Sequence, residues 1–285
     1  MPELPEVETI RQDLSRKILN KSIIGVETTV KARLNKSRTA FARFLIGKKF
    51  IDIGRIGKLL IFVLSKKGNY LLVHLKMTGQ LIYRQGEEMI AGGHSDPWAV
   101  ESPNNYTRVV FVFADKSTLY FNDLRRFGYL HLVDGKELLK IRSKYGIEPL
   151  AKEFTLENFL SCLQNKKTSI KSALLNQRLF AGIGNIYADE SCFLAGIRPT
   201  MEVSKLTGAQ ANKLHRSIES VIRKSISNRG TTFNSYVDSD GLIGGFKKLL
   251  NVYGRAGEKC RRCKAIVKKI KLSGRGTHFC PGCQK

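Results

Sequence analysis

Four cysteines near the end of the chain constrain its fold more than any other feature. They form two pairs, Cys260-x-x-Cys263 and Cys280-x-x-Cys283, separated by sixteen residues. Two such pairs can present four thiolates to one tetrahedral Zn²⁺ ion. The alternative, a pair of disulfides, is disfavoured under intracellular redox conditions. The spacing therefore predicts one zinc ion, and four protein ligands leave it a structural role without an open catalytic position.

The residues between the two cysteine pairs predict a small β-hairpin. Apolar runs at Ala265–Val267 and Ile270–Leu272 have the composition of two short strands. A segment of this size cannot build a core of its own, so we expect the metal to hold it together. The segment is also strongly basic, because residues 251–285 carry ten Lys and Arg side chains and a single acid, Glu258.

The charge of the whole chain predicts a polyanionic partner. Lys and Arg number 49 against 24 Asp and Glu, which gives a formal net charge of +25. Nucleic acid is the leading candidate, since phosphates neutralised by such side chains release their counterions. An anionic membrane surface is the alternative, but apolar runs such as Leu59–Leu64 are far shorter than the ~18 residues of a membrane span. An acidic N-terminus without an apolar core does not fit a signal peptide, so we expect a cytoplasmic protein.

The pattern of the sequence changes along its 285 residues, a length that suits two domains. Apolar residues at a helical period predict a helix over 6–19, and a β-rich texture from about 22 to 133 predicts a sandwich or flattened barrel. A polar insert over 86–105 predicts a mobile loop. After Pro149 the pattern becomes helical. The predicted strands are Ile23–Thr29, Lys49–Gly54, Leu59–Ser65, Tyr70–Leu75, Arg108–Phe113, Thr118–Phe121 and Tyr129–Val133, and the predicted helices are 155–164, 168–176, 185–194, 207–228 and 242–250.

The first residues of the chain suggest covalent chemistry. A small second residue, Pro2, predicts removal of Met1, which would leave a secondary amine followed by the carboxylate of Glu3. The reference pKa of a terminal amine is about 8, against about 10.4 for lysine, so far more of it is uncharged at neutral pH. Such an amine can attack a sugar carbon and form an iminium, which withdraws electrons. Taken alone, the same residues fit a stiff start before a helix better than a catalytic terminus.

Two glycine-containing loops in the helical half allow both a binding and a purely structural interpretation. The first, Gly182–Asn185, immediately precedes a predicted helix, where exposed backbone N–H groups can hold a phosphate. An ordinary turn between helices explains it as well. The second, from Gly230 to Gly245, fits a loop that folds over a ligand or a simple linker.

In combination these features resemble one family, the bacterial formamidopyrimidine-DNA glycosylases, which repair oxidised guanine. The resemblance covers nearly the whole chain and depends on the order of its motifs. Those motifs are Pro2 to Glu8, Lys58, His74 to Gly79, Asp123 to Gly128, Gly182 to Glu190 and the four terminal cysteines. It implies an α+β protein with an N-terminal β-sandwich domain and flanking helix (1–135), a helix-two-turn-helix DNA-binding domain (150–250) and a zinc finger (251–285).

The resemblance also implies catalytic roles. Pro2 would be the nucleophile at C1′ of the damaged nucleotide, and Glu3 would move protons at the sugar. Lys58 and Arg275 would grip the phosphates on either side of the lesion and assist the β- and δ-eliminations that cut the strand. From the residues alone, Lys58 is equally a lysine at a strand edge and Arg275 a hairpin arginine.

Further positions are implied to contact DNA. Met77, Arg125 and Phe127 would fill the gap left when the damaged base is flipped out, although core packing explains Met77 and Phe127 as well. The other implied contacts are Glu6, His74, Tyr106, Lys166 and Asn185.

Three departures from the family pattern stand out. Leu124 replaces a proline, Tyr106 replaces a histidine that contacts DNA, with Arg108 nearby as a possible substitute, and the 86–105 insert is longer and more polar.

The implied partner is double-stranded DNA with oxidised bases or abasic sites, bound by a nucleoid-associated monomer. A sister glycosylase acting on oxidised pyrimidines and a non-catalytic, zinc-stabilised DNA-binding protein remain the alternatives.

Overall fold

The computed structural model describes residues 2–93, 102–231 and 245–285. The chain divides into two compact units. The first comprises Met1–Ser143 together with Asn228–Lys247, and the second comprises Lys144–Ser227 and Lys248–Lys285. Within the described ranges, no helix is both long and apolar enough to cross a bilayer.

The first unit opens with helix α1, Leu4–Ile18. A capping box between Glu3 and Glu6 and a proline in the first turn start this helix, which explains its sharp beginning. The apolar positions that predicted the helix, Val7, Ile10, Leu14 and Ile18, are all buried. They pack into the core of the unit.

Two antiparallel sheets form the sandwich of the first unit, so the predicted β-sandwich with a flanking helix is confirmed. The strands are β1 Ile23–Thr28, β2 Phe50–Ile56, β3 Leu59–Leu64, β4 Asn69–His74, β5 Gly79–Gln85, β6 Glu88–Gly93, β7 Thr107–Phe113, β8 Thr118–Asp123 and β9 Tyr129–Asp134. In the described residues one sheet has the strand order β1-β7-β8-β5-β6 and the other the order β2-β3-β4-β9. Aromatic side chains from both sheets meet in the core, where the Phe50 ring lies 5.9 Å from that of Phe111.

Part of the predicted 86–105 loop is wrong. Residues Glu88–Gly93 form strand β6, which pairs with β5 in register from Gln85↔Glu88 to Gln80↔Gly93. Gly92 is required there, since a Cβ at this position would lie 2.3 Å from the Ile10 side chain of α1. Residues 94–101 of the predicted loop, including Trp98, lie outside the described residues. Strand β5 and the helices α2, Arg38–Leu45, and α3, Gly135–Arg142, were not predicted.

The second unit is helical, as predicted. Its helices are α4 Leu156–Leu163, α5 Ile170–Leu175, α6 Asn185–Ala195 and α7 Gly208–Ser227, with a 3₁₀ turn at Val203–Lys205. Thr155 and Ser169 cap the first two of these through their side chains. In place of the predicted helix 242–250, a 3₁₀ turn spans Gly245–Leu249, and residues 242–244 lie outside the described residues.

The terminal hairpin is present but its strands differ from the prediction. They are β10, Lys268–Leu272, and β11, Arg275–Phe279, and they pair in register from Lys268↔Phe279 to Leu272↔Arg275. Ala265–Val267 is therefore not a strand; Ile266 makes only an isolated bridge to Lys259. The sequence of β11 is polar and does not predict a strand, because one face of this strand packs on α6 rather than in an apolar core.

Candidate active site

The N-terminal residues lie in a polar, buried setting. Pro2 and Glu3 are both buried, and Glu3 is only 2% exposed. The Glu6 carboxylate accepts the backbone N–H of Glu3 at 2.9 Å through Oε2. Through Oε1 it accepts the backbone N–H and the hydroxyl of Thr231 at 2.8 and 2.9 Å. The residue next to the candidate nucleophile is thus fixed by a buried carboxylate.

Lys58 and His74 lie together at one end of the four-stranded sheet. Lys58 follows the β2–β3 turn, where Gly57 has a φ of +55°, and its side chain is buried. The pairing Leu59↔His74 brings the neighbouring strand alongside. Burial, reinforced by the positive charges of Lys76 and Lys58, lowers the pKa of His74 to about 3. His74 is therefore neutral at physiological pH.

The tautomer of His74 follows from one hydrogen bond. Its Nδ1 accepts the backbone N–H of Lys76 at 3.0 Å, so the imidazole proton is on Nε2. A neutral ring of this kind presents an N–H donor suited to a phosphate oxygen. The Lys76 ammonium lies over the Tyr129 ring, 5.6 Å from its centroid, next to His74.

Met77, Arg125 and Phe127 form one exposed cluster. Met77 and Phe127 are 41% and 43% exposed, which excludes the core-packing interpretation of these two residues. The Arg125 guanidinium bridges them, with an N–H group 3.2 Å from the Met77 sulfur and its carbon 4.9 Å from the Phe127 centroid. Side chains from two turns that are far apart in sequence thus present a continuous apolar and planar surface.

A buried carboxylate holds the two turns that carry this cluster. Asp123 accepts the hydroxyl of Thr78 through one oxygen and the backbone N–H of Gly128 at 2.7 Å through the other. Thr78 in turn accepts the backbone N–H of Arg125 at 3.0 Å. Thr78 and Asp123 belong to motifs of the sequence, but no role was predicted for either residue.

Leu124, at the position of the expected proline, is 40% exposed.

The side chain of Arg108, which its sequence position suggested as a substitute DNA contact, is not presented to solvent. Its side chain is buried and donates to the carbonyl groups of Asp123 and Asn105, each at 3.0 Å. Burial lowers the pKa of its guanidinium. Tyr106 is half-buried, and its backbone N–H donates to the Asn104 side chain. Arg108 thus braces this loop rather than facing solvent.

In the second unit, a buried ion pair anchors the hairpin that carries Arg275. Lys171, 1% exposed, lies 2.7 Å from Asp189, which is fully buried. The same ammonium donates to the carbonyl of Gly276 and the hydroxyl of Thr277, both at 2.9 Å. Asp189 also accepts the backbone N–H of His278 at 2.8 Å. Lys171 and Asp189 are positioning residues that sequence reasoning missed, because only the fold brings them to the hairpin.

Asn185 is hydrogen-bonded to the same hairpin. It is the first residue of α6, and its Nδ2 donates to the Gly276 carbonyl at 3.0 Å. Arg275, the residue before Gly276, is exposed at the start of β11. Lys166 is exposed in the turn after α4. The glycine loop before Asn185 is held by the Gln177 side chain, which accepts the backbone N–H of Gly182 and donates to the carbonyl of Ile183.

The four cysteines converge as their spacing predicted. Their sulfur atoms lie within 4.8 Å of one another. The distances of 3.9 Å between the Cys260 and Cys283 sulfurs and 3.4 Å between those of Cys263 and Cys280 bracket the ~3.8 Å edge of a tetrahedron with Zn–S bonds of about 2.3 Å. Gly282 is required beside the site, since a Cβ there would lie 2.9 Å from the Cys263 sulfur. The geometry fits one structural Zn²⁺ ion.

Comparison with known protein families accounts for nearly the whole chain. Residues 1–130 match the formamidopyrimidine-DNA glycosylase N-terminal domain, and residues 145–236 match the formamidopyrimidine-DNA glycosylase H2TH domain. Residues 257–285 match a zinc finger found in FPG and IleRS, which contains all four cysteines.

Individual proteins give the same result over their full lengths. The formamidopyrimidine-DNA glycosylase of Pelotomaculum thermopropionicum is 38% identical, with 100% of this chain and 99% of the relative covered. The structure of a Lactococcus lactis FPG mutant with a Fapy-dG containing DNA superposes with a TM-score of 0.88 at 35% identity, covering 100% of both chains. Lactococcus lactis Fpg with an abasic site containing DNA also gives 0.88, at 34% identity and 99% coverage of both chains.

The neutral His74 predicts a specific pH dependence of stability. The unfolded chain protonates this ring below its ordinary pKa of 6.5, whereas the folded protein keeps it neutral down to about 3. The folded state therefore loses stability relative to the unfolded state as the pH falls below 6.5. In a His74→Asn variant, in which the amide oxygen can replace Nδ1 as acceptor, this contribution is absent.

Between pH 7 and pH 5 we expect the free energy of unfolding of the unaltered protein to fall by about 2 kcal/mol more than that of His74→Asn. Urea unfolding at pH 7, 6 and 5 measures the difference. Parallel curves for the two proteins would show that the ring titrates normally in the fold.

The cysteine geometry predicts that Cys280→Ser loses the metal and the order of the hairpin. We expect elemental analysis to find about one zinc per chain in the unaltered protein and far less in the variant, with faster proteolysis after residue 250. Cys162→Ser, which alters a partly exposed cysteine in α4, is the matched control and should retain zinc. Full zinc content in Cys280→Ser would contradict the four-cysteine site.

Proposed function

Because the chain belongs to the formamidopyrimidine-DNA glycosylase family, we propose that it is a base excision repair enzyme that removes oxidised purines from duplex DNA and cuts the strand at the resulting abasic site. The substrates are 8-oxoguanine and formamidopyrimidines. The observation that carries the proposal is the full-length match to this family together with the buried Pro2–Glu3 start. Structures of a relative with Fapy-dG and with abasic DNA support the same substrate class.

Pro2 is the nucleophile in the proposed mechanism, once Met1 has been removed. The lone pair of its secondary amine forms a bond to C1′ while the bond from C1′ to the damaged base breaks. The base leaves with the electrons of its former bond to C1′ and takes up the proton that the newly attached amine gives up. Opening of the sugar ring, with a proton delivered to the ring oxygen by Glu3, leaves an iminium between Pro2 and C1′.

The iminium makes the protons at C2′ acidic. Removal of one of them expels the 3′ phosphate by β-elimination, and a second elimination expels the 5′ phosphate. Lys58 and Arg275 stabilise the negative charge on these phosphates. His74, neutral and beside Lys58, donates its Nε2–H to a neighbouring phosphate without adding a charge that would vary with pH.

The exposed cluster of Met77, Arg125 and Phe127 enters the duplex where the damaged base leaves it. Extrusion costs a few kcal/mol of lost stacking and pairing, and apolar or planar groups inserted in the stack offset that cost. The clustering of Met77 and Phe127 around Arg125 supports this role, because contiguous exposed apolar surface often marks an interaction site.

The remaining contacts position the backbone of the DNA. Lys166 and Tyr106 bind phosphates from exposed and half-buried positions, respectively. Asn185 acts at the hairpin of Arg275, through its hydrogen bond to Gly276. Glu6 acts beside Pro2 through its bond to the Glu3 backbone. The loop over 230–245, proposed to cover the extruded base, lies outside the described residues from 232 to 244.

Zinc has no part in the chemical steps of this proposal. When bound by Cys260, Cys263, Cys280 and Cys283, it supplies cross-linking of the hairpin. The protein acts as a monomer on double-stranded DNA. The relatives are bacterial proteins, and we place this protein in the cytoplasm, associated with the nucleoid.

The proposed chemistry predicts a covalent adduct. In the presence of borohydride, the purified protein should become irreversibly attached to duplex DNA containing 8-oxoguanine opposite cytosine, because reduction converts the iminium to a stable amine. A chain that retains Met1, or whose terminal amine is acetylated, should lose trapping but keep most of its DNA affinity. Gel electrophoresis of the adduct and a binding titration measure the two effects.

Two results would favour the alternatives. Trapping on DNA with an oxidised pyrimidine, but not on DNA with 8-oxoguanine, would assign the protein to the sister specificity. Equal binding to damaged and intact duplex without trapping would indicate a non-catalytic DNA-binding protein.

A further inference from the structure

Within the first unit, the segment of residues 228–231 is fastened to α1 at two points. We call the four side chains involved, Glu6, Asp13, Arg229 and Thr231, the α1 clasp. Their interactions join residues more than 200 positions apart in sequence. No family motif in the sequence pointed to Asp13, Arg229 or Thr231.

The first point of the clasp lies next to the candidate nucleophile. Thr231 donates both its backbone N–H and its hydroxyl to Oε1 of Glu6, while Oε2 accepts the backbone N–H of Glu3. Glu6 and Thr231 are each only 4% exposed. The Glu6 carboxylate therefore links Thr231, through hydrogen bonds, to Glu3, the residue that follows Pro2.

Gly230 makes this close approach possible. Its φ is +81°, a backbone conformation that residues with a side chain adopt at a cost. A Cβ at this position would lie 2.8 Å from Oε1 of Glu6, so any side chain would displace the carboxylate. The backbone is thus shaped to receive Glu6.

The second point lies two helical turns further along α1. A terminal nitrogen of Arg229 lies 2.8 Å from Oδ2 of Asp13, whose side chain is only 7% exposed. Glu6 and Asp13 are seven residues apart, so they share a helix face about 10 Å apart along its axis. Two attachments at this separation fix both the position and the rotation of α1 against the segment.

Residues 245 and 246 give the clasp a second support. The backbone N–H of Gly245 donates to the carbonyl of Asn228 at 3.0 Å, and that of Phe246 donates to the carbonyl of Gly230 at 3.3 Å. The Phe246 side chain is 3% exposed. Residues 228–230 are therefore held from two directions.

We propose that Asp13, Arg229 and Thr231 are positioning residues for the N-terminal nucleophile. They act through Glu6 and the Glu3 backbone, and they set where Pro2 lies relative to the sugar. The inference rests on the proposed function. It has a clear physical reason, since the first residues of a chain are poorly ordered unless they are tied down. Attack at C1′ also requires the nitrogen to be held close to its productive position.

The test compares Thr231→Val and Asp13→Asn with two control variants. Thr231→Val keeps the size of the side chain and the backbone N–H but removes the hydroxyl, whereas Thr231→Ser retains the hydroxyl. Asp13→Asn removes the charge opposite Arg229. Glu88→Gln breaks the Lys17–Glu88 ion pair, which also joins α1 to a neighbouring element but lies outside the clasp.

Single-turnover borohydride trapping should be measured on two duplexes, one with 8-oxoguanine and one with a preformed abasic site. We expect Thr231→Val and Asp13→Asn to slow trapping about tenfold on both duplexes, because a small misplacement of a reacting group costs at least this much. DNA affinity should change little, and both variants should remain folded at the assay temperature, which thermal unfolding checks. Glu88→Gln should trap at the unaltered rate, and Thr231→Ser should recover most of the lost rate.

Three results would overturn the inference. These are unchanged trapping in both test variants, a loss of DNA affinity that accounts for the slower trapping, or slower trapping on the 8-oxoguanine duplex alone, which would indicate a role in binding the base. Absence of trapping by the unaltered protein on either duplex would instead refute the proposed function. The two failures are therefore distinguishable.

Discussion

Once Met1 is removed, the proposed nucleophile Pro2 has covalent support on one side only, so its position depends on the non-covalent interactions of the residues that follow it. The helix that follows Pro2 begins abruptly, with a capping box that fixes Glu3 within the first turn. One face of the helix packs on the core of the sandwich through Val7, Ile10 and Leu14. Hydrogen bonds and packing thus hold the residues that follow Pro2 in place.

Buried acidic residues recur in both units of the protein. Among the described residues, six acidic side chains are buried, against three lysines and arginines. Most of these carboxylates accept backbone N–H groups, as Glu190 does from Asn251, Val252 and Tyr253. Burying a carboxylate is tolerable when several N–H donors satisfy it. Because the acids are used inside, the surface is more basic than the composition alone implies, which suits a phosphate-bearing partner.

Much of the fold could be predicted from the sequence where one pattern dominated locally. Helix α1 follows from the helical period of its apolar residues, and most strands of the sandwich follow from runs of β-branched and aromatic residues. The four-cysteine site follows from the spacing of its cysteines. Strand β6 was missed because Glu88–Gly93 ends in two glycines and follows a polar turn, a composition with low strand propensity. Its pairing with β5 makes it a strand despite that composition. Strand β11 was missed because its residues pack on α6 and not in an apolar core.

The candidate site shows where sequence reasoning ends. Residues that a motif identified, such as Met77, Arg125 and Phe127, lie together as expected. Residues that support them from a distance could not be found, because their partners are known only from the fold. Lys171 looks like a surface lysine of α5 in sequence, yet it is buried against Asp189 beneath the hairpin. Likewise, nothing in the sequence indicates that Arg229 returns to α1 in the first unit.

The exposed cluster illustrates why such support matters for function. Met77 and Phe127 are exposed, and Asp123 holds the two turns that carry them together through Thr78 and Gly128. In the proposed role, a cluster that is already ordered before DNA binds would lose little further conformational entropy on entering the base stack. The binding energy would then be left to offset the extrusion of the damaged base.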